Sequence, residues 1–135
     1  MTTPRMFASL ALLAFAAQGQ PPRARHDESA EVVFARVPAK ARAKLNPLEQ
    51  DGDAAAAGKK LFEEHCAECH GENADGSNRG PSLRVNEVQQ AAQGEVFWIL
   101  TNGVVRRGMP AWSKLPEPQR WQIVAYLRTV TNARE

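Results

Sequence analysis

The sequence has few cysteines, few histidines and no apolar run long enough to cross a bilayer. Its two cysteines, Cys66 and Cys69, and its three histidines, His26, His65 and His70, offer no second paired cluster, so a four-ligand zinc site of the finger type is excluded. The apolar run from Met6 to Ala17, broken only by Ser9, is shorter than the roughly 20 residues a transmembrane helix needs. Charge of one sign does not dominate either: 17 Lys and Arg against 15 Asp and Glu leave a formal net charge of +2, which invites no nucleic-acid partner. No alternating strand pattern and no internal repeat stands out, and 135 residues suit one domain.

The run from Met6 to Ala17 follows a single cation, Arg5, and gives way to the polar stretch "QGQPPRARHDES". This is the layout of a signal peptide with Ala14-Phe15-Ala16 as its small-x-small cleavage site. Residues 1–17 are therefore expected to be removed on export, leaving a soluble mature chain, without a membrane span, in the periplasm or an equivalent compartment. A lipoprotein anchor would require a cysteine at the cleavage point, and both cysteines lie far downstream. From residue 18 to 53 the composition is rich in Pro, Ala and mixed charge, which reads as a linker or N-terminal extension. Its cations Arg36, Lys40, Arg42 and Lys44 read as a solvated face, and its short apolar piece Val32-Val33-Phe34 is expected to lie against the domain surface.

Regular structure is expected from Asp53, a natural N-cap. Beyond it Gly58, Leu61, Phe62, His65, Cys66 and Cys69 follow helical spacing as one continuous stripe, which would carry both cysteines to the buried side. A second helix is readable in Glu95 to Leu100, stopped by Asn102-Gly103. A third starts at Pro116-Glu117-Pro118 and presents Ile123, Val124, Leu127 and Val130 on one face. Long Gly- and Pro-bearing loops connect them. The fold class is all-α, with the main domain over residues 54–135.

Cys66-Ala67-Glu68-Cys69-His70 carries the chemistry. A thioredoxin-type dithiol would follow a strand in a βαβ unit, which this chain lacks, and a structural disulfide would leave the adjacent His70 without a role. C-x-x-C-H reads instead as covalent haem attachment: two thiols add to the porphyrin vinyl groups, and the next residue is held under the iron as an axial ligand. The cofactor expected is one haem c. Once the signal is removed Met109 is the sole remaining methionine. Its setting, "RRGMPAW", places it between Gly108 and Pro110 in a loop that cannot continue as a helix, which suits a sixth ligand opposite His70. Phe97, Trp98, Leu100 and Trp112 are candidates for the pocket wall, although aromatics at such spacing also serve as ordinary core. Arg106 and Arg107 suit a propionate, an acidic partner or solvated surface equally well.

From about Asn46 to the C-terminus the chain resembles the small monohaem class I c-type cytochromes. The likeness rests on Gly58 and Phe62 before the haem motif, Ile123 and Tyr126 in "IVAYLR", Gly80-Pro81-Ser82-Leu83 after it, and Met109-Pro110. It implies three to four short helices and loops packed around one haem, with the Gly58 helix crossing the C-terminal helix at close range. It also implies that the Pro81 carbonyl accepts the Nδ1–H of His70 and that Leu83 packs on the haem. Cofactor binding would then involve Cys66, Cys69, His70, Pro81, Leu83 and Met109, with His70 and Met109 on the iron. The function implied is electron transfer rather than catalysis, with a dehydrogenase, oxidase or reductase as redox partner, in a chain that is monomeric unless docked in a respiratory or dehydrogenase complex. The competing class is a haem enzyme or gas sensor in which the sixth position is open or easily vacated. The extension before Asn46 has no counterpart in the resemblance.

Overall fold

A computed structural model describes residues 30–131. The expected signal peptide, the first part of the expected linker with His26, and residues 132–135 lie outside the described residues. Within them the order is α1 (Ala30–Ala35), α2 (Ala39–Arg42), α3 (Ala54–His65), α4 (Ala67–His70), α5 (Asn86–Gln90), α6 (Gln93–Asn102), a single 3₁₀ turn (Val105–Arg107) and α7 (Glu117–Leu127). Among the described residues β pairing is confined to an isolated bridge between Val104 and Met109.

Helix α3 opens on four alanines, the residue with the highest helix propensity. Asp53 does occupy its N-cap position but makes no side-chain cap. The neighbouring Asp51 carboxylate acts instead, accepting the Asp53 N–H at 2.9 Å. Ala54, Gly58 and Phe62, four residues apart, form the buried edge. Helix α7 starts after Pro116 with Pro118 in its first turn, where a missing N–H costs nothing, and buries Trp121, Ile123, Val124, Tyr126 and Leu127. The two helices cross at Gly58: a Cβ placed there would lie 1.9 Å from the Gln122 carbonyl oxygen, so only glycine permits this approach. Beside the crossing the Phe62 and Tyr126 rings meet at 5.2 Å between centroids, tilted by 53°. Phe62, Ile123 and Val124 are the largest fully buried side chains.

Two expectations are corrected. The helical stripe does not run unbroken through the cysteines. Helix α3 ends at His65, Cys66 takes φ −121° and ψ −32°, and α4 starts anew at Ala67. Period alone could not reveal the break, because the backbone keeps turning: the N–H groups of Cys69 and His70 both return to the Cys66 carbonyl, at 3.1 and 2.9 Å. Cys66 is buried and Cys69 only half-buried.

The second correction concerns the linker, which is folded from Ala30 onward. Val37 and Asn46 are each only 4% exposed, and Phe34 and Leu48 pack against the main core. Asn46 Nδ2–H donates to the Trp121 carbonyl at 3.2 Å, while its Oδ1 accepts the Leu48 N–H at 2.9 Å. Arg42, read as solvated, pairs through Nε with the buried Glu95 at 3.2 Å, and the Lys44 ammonium lies 5.7 Å from the centre of the Phe97 ring. The anchors are single residues separated by polar chain, so no periodic signal announces them.

Helix α6 is anchored at its start by Glu95, whose Oε2 accepts the Ala92 N–H at 2.7 Å. It stops at Gly103, whose φ of +70° lies in the left-handed region that favours glycine.

Candidate functional site

The α3–α4 junction supplies one side of the site. Cys66 and Cys69 lie a single turn apart, and both are free thiols. Burial, and secondarily the neighbouring Cys69, push the Cys66 thiol from its ordinary 9.0 to about 12. Helix α4 places His70 at its end, where the ring Nδ1–H donates to the Pro81 carbonyl at 2.9 Å. That bond commits Nδ1 and leaves Nε2 with the lone pair, as a metal-ligating imidazole requires.

The loop that brings Pro81 into position is held by its own backbone. The Gly76 N–H reaches the His70 carbonyl at 2.7 Å, and the Leu83 N–H reaches Ala74 O at 2.8 Å. Ser77 Oγ–H donates to the Cys69 carbonyl at 2.7 Å, and the same Oγ accepts the Arg79 N–H at 3.0 Å. Arg79 also pairs with Glu68, inside the cysteine motif, through exposed side chains. Leu83 is half-buried against the core.

The other side is the chain after α6. Val104 and Met109 exchange backbone hydrogen bonds, Val104 N–H to Met109 O at 3.0 Å and Met109 N–H to Val104 O at 3.3 Å. The 3₁₀ turn and Gly108, in the left-handed conformation at φ +88°, close the loop between them. Met109 is half-buried and packs against the core, and Trp112 is tied back by its N–H to the Leu100 carbonyl at 3.0 Å. Trp112 also meets the His65 ring at 5.2 Å between centroids. Of the pocket-wall candidates, Phe97 is ordinary core. It stacks on Trp121 at 3.8 Å with 13° between planes, and the Arg120 guanidinium covers it at 4.8 Å. Leu100 is buried, whereas Trp98 and Trp112 are half-buried.

Sequence reading missed the arginines that brace this frame. Arg84 Nε–H donates to Asn73 O at 2.7 Å and its Nη1 to Thr131 O at 3.1 Å, joining the loop after the haem motif to the end of the described chain. Half-buried Arg128 donates to the carbonyls of Val88, Gln89 and Ala91. Burial lowers its pKa, with Glu95 acting in the opposite sense. Such arginines answer backbone carbonyls rather than acidic side chains, so no charge pattern marks them.

Haem c can be tested against these residues on their own chemistry. Two unbridged thiols sit one turn apart, an imidazole has its Nδ1 already committed, and a thioether stands on a braced loop. Among the described residues no group of three His, Cys, Asp or Glu side chains could hold a metal ion, so a zinc site has no support. The donor set fits a covalent haem.

Comparison with known proteins agrees. Residues 53–127 match the family model described as cytochrome c oxidase, cbb3-type, subunit III. The chain belongs to that family, and it is a monohaem class I c-type cytochrome with covalently bound haem c. Among individual proteins it is similar to the cbb3-type cytochrome c oxidase subunit CcoP of Azospirillum brasilense, 40% identical over 52% of this chain and 26% of that protein. CcoP of Azospirillum sp. (strain B510) is 35% identical over the same shares. The matched part thus spans about a quarter of the length of these relatives. Two solved structures share the fold: cytochrome cL of Methylophaga aminisulfidivorans MPT, with a TM-score of 0.57, 24% identity and coverage of 91% of this chain and 75% of that one, and cytochrome cL of Hyphomicrobium denitrificans, with 0.51, 19%, 73% and 66%.

Proposed function

We propose that this chain carries one electron at a time on a haem c attached through Cys66 and Cys69 and ligated by His70 Nε2 and the Met109 sulfur. The observation that supports the reading most directly is the 2.9 Å hydrogen bond from His70 Nδ1–H to Pro81 O, which fixes the tautomer and the plane of the ring. When bound, the haem supplies a one-electron redox centre, and a neutral thioether opposite imidazole favours its ferrous state. Pro81 holds the imidazole, Leu83 covers the cofactor, and the Val104 bridge keeps the Met109 backbone in place.

With His70 and Met109 both holding the haem iron, no position would be left for a substrate, which supports a carrier rather than a catalyst. The names of the family and of its CcoP relatives support an oxidase as the redox partner, with a dehydrogenase or reductase as the other possible neighbours in such a chain. The molecule acts as a monomer unless docked in that complex, without nucleic acid. None of the described helices is long and apolar enough to cross a membrane. Haem attachment and the run from Met6 to Ala17 together support export of the chain, with residues 1–17 as the signal, to an extracytoplasmic compartment.

Met109→Ala tests the ligand set. The oxidised parent should show the weak far-red absorption band of Met-ligated ferric haem and, once reduced, bind carbon monoxide poorly. The variant should lose the band, bind carbon monoxide readily and have a lower potential. An unchanged spectrum and potential would take Met109 off the iron and favour the enzyme or sensor class.

A further inference from the structure

We infer that His65 is a positioning residue for the Met109 segment, because its ring, packed on Trp112, ties the end of the helix leading into Cys66 to the chain just after the methionine. His65 is the last residue of α3 and Trp112 lies three residues beyond Met109. Their ring centroids are 5.2 Å apart with 47° between planes, and both side chains are half-buried. This is the tilted arrangement that aromatic pairs favour, in which the edge of one ring approaches the face of the other.

The placement gives the contact its consequence. Residues 109–112 are held at their start by the Val104 bridge and at their end by the Trp112 N–H on Leu100 O. Both of those ties run to α6 or the loop directly after it, so neither links the distal segment to α3. The His65–Trp112 contact runs instead to α3, the helix that leads into the cysteine motif. It links the two ligand-bearing parts of the chain. A motion that carries the backbone of residues 109–112 away from α3 separates these rings. Glu64 Oε1 lies 3.7 Å from His65 Nε2 but is exposed, so it leaves the ring free to pack. His65 thus acts on the iron only through Trp112 and the methionine segment, and the inference rests on the reading that Met109 is a ligand.

The experiment uses the mature ferric holoprotein and cyanide, a ligand that binds only where the methionine has left, at one fixed pH near neutrality. His65→Ala and Trp112→Ala should each raise cyanide affinity by about three- to tenfold, the range expected from losing one aromatic contact. The double variant should exceed neither single variant by more than about twofold, because both remove the same contact. His65→Phe, which keeps a ring, should restore parental affinity. Hydrogen exchange gives a readout independent of the iron: His65→Ala should speed exchange of the Trp112 amide while leaving that of Val124, in the core, unchanged. Multiplicative effects in the double variant, or parental cyanide affinity in His65→Ala, would overturn the inference. Met109→Ala in the same assay separates the two readings. If it raises cyanide affinity strongly while His65→Ala does nothing, only the positioning role fails. If it too does nothing, the ligand assignment fails.

Discussion

Gly58 and Gln122 stand so close that no side chain fits between them: the position of a Cβ on Gly58 falls 1.9 Å from the Gln122 carbonyl oxygen. The obstructing atom belongs to the backbone of α7, so a rotamer change cannot relieve the clash. Gly58→Ala must push α3 and α7 apart and loosen Phe62 and Ile123, which are 0% and 1% exposed. Overpacking of this kind costs about 1–3 kcal/mol or more, which in a domain of this size corresponds to a fall in Tm on the order of 10 °C. Thermal unfolding followed at the haem band measures it. Gln122→Ala should not rescue the variant, since it leaves the carbonyl in place, and rescue would show that the crossing is looser than described.

Attachment of the cofactor through Cys66 and Cys69 predicts retention under denaturing conditions. Haem should stay with the polypeptide through acid-acetone extraction and denaturing electrophoresis, and Cys66→Ala combined with Cys69→Ala should release it entirely. Haem-stained gels decide the matter. Recovery of free haem from the parent protein would contradict thioether attachment.

The raised pKa of the Cys66 thiol bears on the order of maturation. A thiol reacts as its thiolate, and burial holds Cys66 protonated until the pH approaches about 12 instead of its ordinary 9.0. In a haem-free chain closed into this fold, Cys66 should therefore react with iodoacetamide more slowly than half-buried Cys69, and its rate should climb with pH well above the range where an ordinary thiol has already levelled off. The sign follows from linkage: the folded form binds the proton more tightly than the unfolded one, so the closed haem-free chain should lose stability as pH rises from 9 toward 12. Mass spectrometry of the labelled peptides checks the first statement, and urea titrations at pH 8 and 10 the second. Equal labelling of both cysteines in a chain with native circular dichroism would refute the burial argument.

Arg128 offers a test of the bracing that charge patterns did not reveal. Its guanidinium serves the carbonyls of Val88, Gln89 and Ala91, pinning the α5–α6 junction to the end of α7. Arg128→Met keeps the stem but strands these acceptors, and a buried bond from a charged donor contributes about 1.5–3 kcal/mol net, less for a half-buried side chain such as Arg128. A net loss of about 2–4 kcal/mol is expected in urea unfolding. Arg128→Lys should recover little of it, because a single ammonium cannot reach acceptors spread around a planar fork. Parental stability in Arg128→Met would show that solvent replaces the bonds at no cost.

What could be read from the sequence divides along physical lines. Helices α3, α6 and α7 were legible because each repeats an apolar side chain at helical spacing, with Asp53 before α3, Gly103 after α6 and Pro116 before α7. The break at Cys66 was hidden, since the period continues across it while the backbone changes direction. The stretch from Ala30 to Asp53 read as a linker because its hold on the core comes from Phe34, Val37, Asn46 and Leu48 one at a time, and Asn46 acts through a carbonyl of Trp121, 75 residues away in sequence. At the site, the cysteine motif and Met109-Pro110 were visible as words in the sequence. The part played by His65 was not, because nothing in the spacing of His65 and Trp112 says that they meet.

The short bridge between Val104 and Met109 makes the loop it closes dispensable to the methionine. Once those two backbones grip each other, Val105, Arg106 and Gly108 are exposed beyond the grip, with Val105 70% exposed. The apex at Val105 and Arg106 can change in composition while the bridge still holds the Met109 backbone. A surface tether grafted at this apex would sit within one turn of Met109 in sequence, which makes it a natural point for wiring this cytochrome to an electrode.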